Sequence, residues 1–159
     1  MVLMMLVYSA LHLLLFFRGL MMKYIKVTAI LLSIGFSLTA SADIAVIVNP
    51  ANSSELTDRD ISRIFLGKNK KFTNGASVMA ANLKDESPAR EEFESKVLQK
   101  TSYQVKSYWA KLIFSGKAKP LAEFDNDADV LSFVADNPDA IGYIDAANVS
   151  DKVKVIKTF

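Results

Sequence analysis

The stretch Asp85-Glu86-Ser87-Pro88-Ala89-Arg90-Glu91-Glu92-Phe93 gathers residues that could hold an anion. Ser87 suits the N-cap of a helix and Pro88 its first position. A helix start presents unpaired N–H groups and the positive end of the helix dipole, which together attract anions. The Ser87 hydroxyl could donate to a phosphate-type oxygen. Arg90, one turn in, could add a forked and charged donor. Phe93 would anchor the helix in a core. The same residues also suit a capped surface helix in which Arg90 pairs with Glu86 or Glu94. Glu86, Glu91 and Glu92 work against anion affinity by like-charge repulsion.

Other chemistry is poorly supplied. The sequence has no Cys, and its one His is His12, near the start. Beyond residue 42 this removes Ser-His-Asp triads, Cys-His pairs and the usual zinc sites. No Gly-rich nucleotide loop occurs. Asp125, Asp127 and Asp129 alternate like the start of a calcium loop, but the required Gly and distal Glu are missing. They read as a solvated helix start. Lys68, Lys70 and Lys71 read as a solvated turn, and Trp109 with Tyr108 as part of a core stripe. The expectation is a protein that is not an enzyme and needs no cofactor and no metal.

The elements that must position Ser87 and Arg90 lie in the second part of the chain. Of 159 residues, 51% are hydrophobic, but the first 42 hold a disproportionate share and no acid. Residues 22–42 have the layout of a secretory signal: Lys23 and Lys26, an apolar core from Val27 to Leu38, and Ala40-Ser41-Ala42 as a cleavage site before Asp43. The core is shorter than a membrane span needs. Residues 1–21 carry a second apolar run, and Met22 suits a true start, so they read as a start-site extension; the rival reading is an anchoring helix. Residues 43–159 hold every one of the 17 acidic residues and all of the 19 basic ones except Arg18, Lys23 and Lys26. They are near neutral, with no basic patch for nucleic acid. Without Cys, no disulfide or lipidated N-terminal Cys is available. The core alone must stabilise these roughly 117 residues, which is enough chain to do so.

Within 43–159, Ile44 to Val48 reads as a buried strand ended by Asn49-Pro50. Thr57 caps a first helix with Ile61, Ile64 and Phe65 on one face and Gly67 as its C-cap. Ser77 to Asn82 is a second strand. Ser87 to about Leu98 is a second helix. Thr101 with Gln104 forms a capping box for a third, with Val105, Tyr108, Trp109 and Leu112 as its buried stripe. Asp125 or Asn126 opens a fourth, with Val130, Leu131, Phe133 and Val134 apolar. Ile141 to Ile144 is a third strand. Lys152 to Lys157 is a half-exposed edge strand with Val153 and Val155 inward. Strands alternating with helices give an α/β domain with a small mixed sheet.

Three ordered segments, Ile64-Phe65-Leu66-Gly67-Lys68, Ser87-x-x-Arg90-x-x-Phe93 and Ala140-Ile141-Gly142-Tyr143-Ile144, resemble the phosphate-binding proteins of ABC importers. Tyr108-Trp109 and Phe114-Ser115-Gly116-Lys117 are similar to short, one-lobe members of that family. The resemblance spans nearly all of residues 43–159. It implies a single lobe of a type II periplasmic-binding-protein-like fold, a small mixed sheet flanked by helices. It also implies a periplasmic location and a ligand site at Ser87, Ala89 and Arg90 for phosphate or a similar oxyanion. The chain departs from the family at Pro88, often Gly there and here without an N–H, and at Leu83, where many members carry Arg. Ser53 and Ser54 follow the first strand at its carboxyl end, where α/β sheets often bind ligands, and are added as candidate lining residues.

Two functions follow. One is a solute-binding-like protein for phosphate or a similar oxyanion, feeding or derived from an ABC importer and meeting its permease. The other is a non-transport envelope module that has lost anion binding and contacts another envelope protein. In neither reading are residues 43–159 embedded in the membrane.

Overall fold

The computed structural model describes residues 43–159. The expected extension at 1–21 and signal at 22–42, with His12, lie outside the described residues. β1 (Ile44–Val48) is buried at every position, as its unbroken apolar run requires. It lies between two antiparallel neighbours, β4 (Ala140–Asp145) and β5 (Lys154–Thr158). β2 (Met79–Leu83) runs parallel to β4 on one side and to the three-residue β3 (Ala122–Phe124) on the other. The sheet is therefore five-stranded and mixed, in the order β3-β2-β4-β1-β5.

Among the described residues, four α-helices join these strands. α1 (Asp58–Phe65) starts in a complete capping box, with Thr57 and Asp60 each bonded to the other. The Thr57 hydroxyl and then the Thr57 amide, both donating to Asp60 Oδ2, hold the Asp60 carboxyl below its ordinary pKa. α1 buries Ile61, Ile64 and Phe65, as the sequence spacing requires. α2 (Pro88–Lys96) has Ser87 as N-cap residue, but the Ser87 side chain makes no capping bond. α3 (Ser102–Phe114) begins in the expected Thr101–Gln104 box. α4 (Asp127–Asp136) is capped by Asn126, not Asp125.

The acids read as a solvated helix start each have a separate partner. Asp125 pairs with Lys84, Asp129 meets Asn126, and the Asp127 carboxylate accepts from the Asp145 amide and the Asn148 side chain.

β4 shows how the layers meet. Successive side chains on a strand point to opposite faces. Gly142 faces α4, where an added Cβ would lie 2.6 Å from Val130 Cγ1; glycine lets that helix approach the sheet. Tyr143 faces α1 and α2, stacked on Phe93 at 3.8 Å between ring centres and edge-on to Phe65 at 5.5 Å. Phe65 and Phe93 themselves meet at 4.7 Å. One residue from each of the three ordered segments, Phe65, Phe93 and Tyr143, thus closes the same aromatic cluster.

Three elements differ from expectation. β3 was not foreseen, being three residues with little apolar character. α3 buries only Val105 fully; Tyr108, Trp109 and Leu112 of the expected stripe are half-buried, because the helix packs at the border of the fold. In β5, Val155 is 39% exposed rather than inward. A register shift opposite Val46 and Ile47 breaks the alternation.

Candidate functional site

Ser87, Ala89 and Arg90 sit just beyond the carboxyl end of β2. A short turn closes with the Ser87 amide on the Lys84 carbonyl, 3.0 Å. Pro88 then fixes the first helical residue and contributes no N–H. The amides of Arg90 and Glu91 both return to the Ser87 carbonyl, at 3.0 and 3.2 Å. Of the first turn only the Ala89 amide remains, and Ala89 is buried.

Arg90 borders a small cleft but presents little of itself to it. It is 6% exposed, and its guanidinium is held on several sides. Nε donates to Glu94 Oε1 at 2.9 Å. Nη1 donates to the Leu83 carbonyl at 2.7 Å and to Glu123 Oε1 at 2.9 Å. Nη2 lies 2.7 Å from Asp85 Oδ1. Burial alone would lower the Arg90 pKa, but the bonds to Glu94 and Glu123 outweigh it and hold the guanidinium above its ordinary value. Glu94 is buried behind Arg90, whereas Asp85 and Glu123 are half exposed in front of it.

The structural alternative for Arg90 is therefore the one realised with Glu94, and Asp85 and Glu123 join it while Glu86 does not. Three carboxylates surround one guanidinium, with Lys106 on the outer face of Asp85 at 3.2 Å. The cluster keeps a net negative charge, which repels an oxyanion. Tyr143 backs the same corner. Its hydroxyl donates to Asn82 Oδ1 at 2.5 Å and accepts from the Leu83 amide at 3.3 Å. Burial pushes its phenol pKa upward. The cleft that Arg90 borders has a volume of about 280 Å³, and Asp85, Glu123, Lys106, Trp109 and Leu121 line it too.

Ser53 and Ser54 do not join this corner. β1 is antiparallel to β4 whereas β2 is parallel to it, so the carboxyl end of β1 lies at the opposite end of the sheet from Ser87. The rule that ligands sit at carboxyl ends applies to parallel strands, and β1 is not one. The loop after β1 is instead fastened structurally. Asn49 donates to the Val134 and Ala135 carbonyls at 3.1 and 2.7 Å, and Asn52 Oδ1 accepts from the Ser54 amide at 2.9 Å. Ser54 is buried and Ser53 exposed.

Glu123 was the residue missed in reading the sequence. It reaches Arg90 only because β3 pairs with β2, a pairing that its three-residue sequence hardly signals.

The fold has known counterparts. The chain is similar to an ABC-type phosphate transport receptor from Vibrio cholerae, at 19% identity and a TM-score of 0.57, over 74% of this chain and 47% of that one. A putative phosphate ABC transporter substrate-binding protein from Clostridium perfringens, solved with bound phosphate, matches at 25% identity and a TM-score of 0.57, over 74% and 46%. PstS from Borrelia burgdorferi matches at 16% identity and a TM-score of 0.54, over 73% and 47%. The fold is that of a single lobe of such phosphate-binding proteins. The chain spans less than half the length of each of these relatives. No family model matches it, and no curated protein matches its sequence.

Proposed function

We propose that this chain is an exported, periplasmic, single-lobe relative of solute-binding proteins that acts by contact with another envelope protein and does not capture phosphate at Ser87. One observation carries the reading: the Arg90 guanidinium is already bonded to Asp85, Glu94, Glu123 and the Leu83 carbonyl. A phosphate brought to Arg90 would have to displace carboxylates that hold it at hydrogen-bond distance. It would gain few amides in return, since Pro88 lacks an N–H and the Arg90 and Glu91 amides point back to Ser87. A site closed from one side only also leaves an anion in water, where each contact is worth less.

Oxyanion capture is the second reading, and the likeness to the Clostridium perfringens protein solved with phosphate favours it. In that reading Ser87, Ala89 and Arg90 hold the anion once Asp85 and Glu123 turn away, and the chain serves an importer permease. Titration calorimetry with phosphate separates the two. The contact reading expects no heat and no rise in melting temperature at millimolar phosphate. Binding heat that Ser87→Ala abolishes would overturn it.

A further inference from the structure

The contact reading leaves open which surface makes the contact. A groove of about 1110 Å³ lies near the amino end of β2, on the β3 side of the sheet. Its floor is apolar, with Ile64 from α1, Trp109 from α3, Phe133 from α4, and Val78, Met79 and Leu121 between them. Lys70, Lys117 and Lys119 also line it, and none of its lining residues is Asp or Glu. None of these three lysines forms an ion pair among the described residues, whereas Lys84, Arg90 and Lys106 at the carboxyl end of β2 are all paired.

Two further features mark this side as open. β3 pairs only with Ala81, Asn82 and Leu83, while Met79 and Ala80 pair with β4 alone. Strand cover on the β3 side therefore stops short of Met79, which is 43% exposed. Trp109, Pro120 and Leu121 border both this groove and the cleft outside Arg90, so the apolar surface runs on toward Ile113. Beside it, the end of α3 leaves Ile113 41% and Phe114 92% exposed. An amphipathic helix ordinarily buries its apolar stripe.

We propose that this groove is a docking site for an extended segment of a partner protein that alternates acidic and apolar side chains. The inference rests on the contact reading above and names its surface. Apolar side chains would cover Trp109, Leu121 and Phe133, while acids would meet Lys70, Lys117 and Lys119. An extended backbone suits the short edge strand, since strand addition is a common mode of peptide capture. A second copy of the chain presenting the same groove would set lysines against lysines, and like charges across an interface are unfavourable.

Trp109 is the single tryptophan of the sequence and reports on the groove directly. The full chain is titrated with a tryptophan-free peptide of eight residues alternating Glu with Leu and Phe, following Trp109 emission. A saturable change is expected, weakened about tenfold in the Lys117→Glu/Lys119→Glu double variant and weakened by raising salt to about 0.5 M. The same peptide with Lys for Glu should not bind.

The proposal is overturned by no saturable change at millimolar peptide, or by equal binding to the double variant. It also fails if inorganic phosphate or anionic phospholipid vesicles give the same lysine-dependent change, or if sedimentation shows a dimer that the double variant disrupts. Phosphate heat abolished by Ser87→Ala would overturn the contact reading instead, and would leave the peptide result standing by itself.

Discussion

The two ends of β2 carry opposite arrangements of charge. Past its carboxyl end, Arg90 is buried and enclosed by three carboxylates, and Lys84 and Lys106 are paired as well. Near its amino end, Lys70, Lys117 and Lys119 border an apolar groove with no acid among the lining residues. A cation enclosed by acids in a low-dielectric corner holds structure together. Cations left without counterions among the described residues, around an apolar floor, remain available to something else. Helix-start chemistry made the first end look like the binding site; the pairing of charges makes the second the better candidate.

The largest test of this contrast is Arg90→Met. It leaves Glu94 buried without its cation, and breaking such a pair costs about 3–5 kcal/mol. Urea unfolding should show that loss. A variant as stable as wild type would mean Arg90 is not structural.

Next comes Tyr143→Phe, which removes the bond to Asn82 and leaves the Leu83 amide without its side-chain acceptor. About 1–3 kcal/mol should be lost. The pH dependence has a definite sign. Burial raises the Tyr143 pKa above its ordinary 10.0, so the folded state retains the proton that the unfolded chain releases. Its contribution is fully present below pH 10.0 and declines as pH rises above it. Melting curves should therefore fall less steeply above pH 10 in Tyr143→Phe than in wild type, and parallel curves would refute the point.

Gly67→Ala probes the groove end. Gly67 has φ +66°, and an added Cβ would lie 2.9 Å from Trp109 Cη2. About 1–2 kcal/mol should be lost from the backbone alone, together with a shift in Trp109 emission as the ring moves. Unchanged emission would show that Gly67 does not set the ring's position.

The smallest expected effect is that of Lys117→Met, within about 0.5 kcal/mol in either direction. A larger loss of stability would show that the groove lysines are structural too, and the contrast between the two ends would collapse.

Much of the fold was legible because local signals agreed with it. Thr57–Asp60 and Thr101–Gln104 cap helices through contacts three residues apart. The unbroken run at Ile44–Val48 needs burial on both faces, and β1 has it. The segments around Phe65, Phe93 and Tyr143 were recognisable as an ordered set, and their aromatic rings meet in the core. The candidate site was harder to read. Ser87 and Pro88 announced a helix start correctly, yet nothing local to Arg90 reveals Glu123, 33 positions away. Ser53 and Ser54 were placed at a strand's carboxyl end correctly, but strand direction decides which end of the sheet that is. β3, too short to carry a pattern of its own, exists through its pairing with β2.

The sequence by itself determined where helices begin, which faces are apolar, and that an arginine stands in the first turn after Ser87, since each depends on neighbours within a turn or two. The tertiary structure alone decided which acids meet that arginine, which serines lie far from it, and which lysines remain without counterions among the described residues. Charge pairing acts through space over a few ångströms, and only the packing of distant segments fixes those distances.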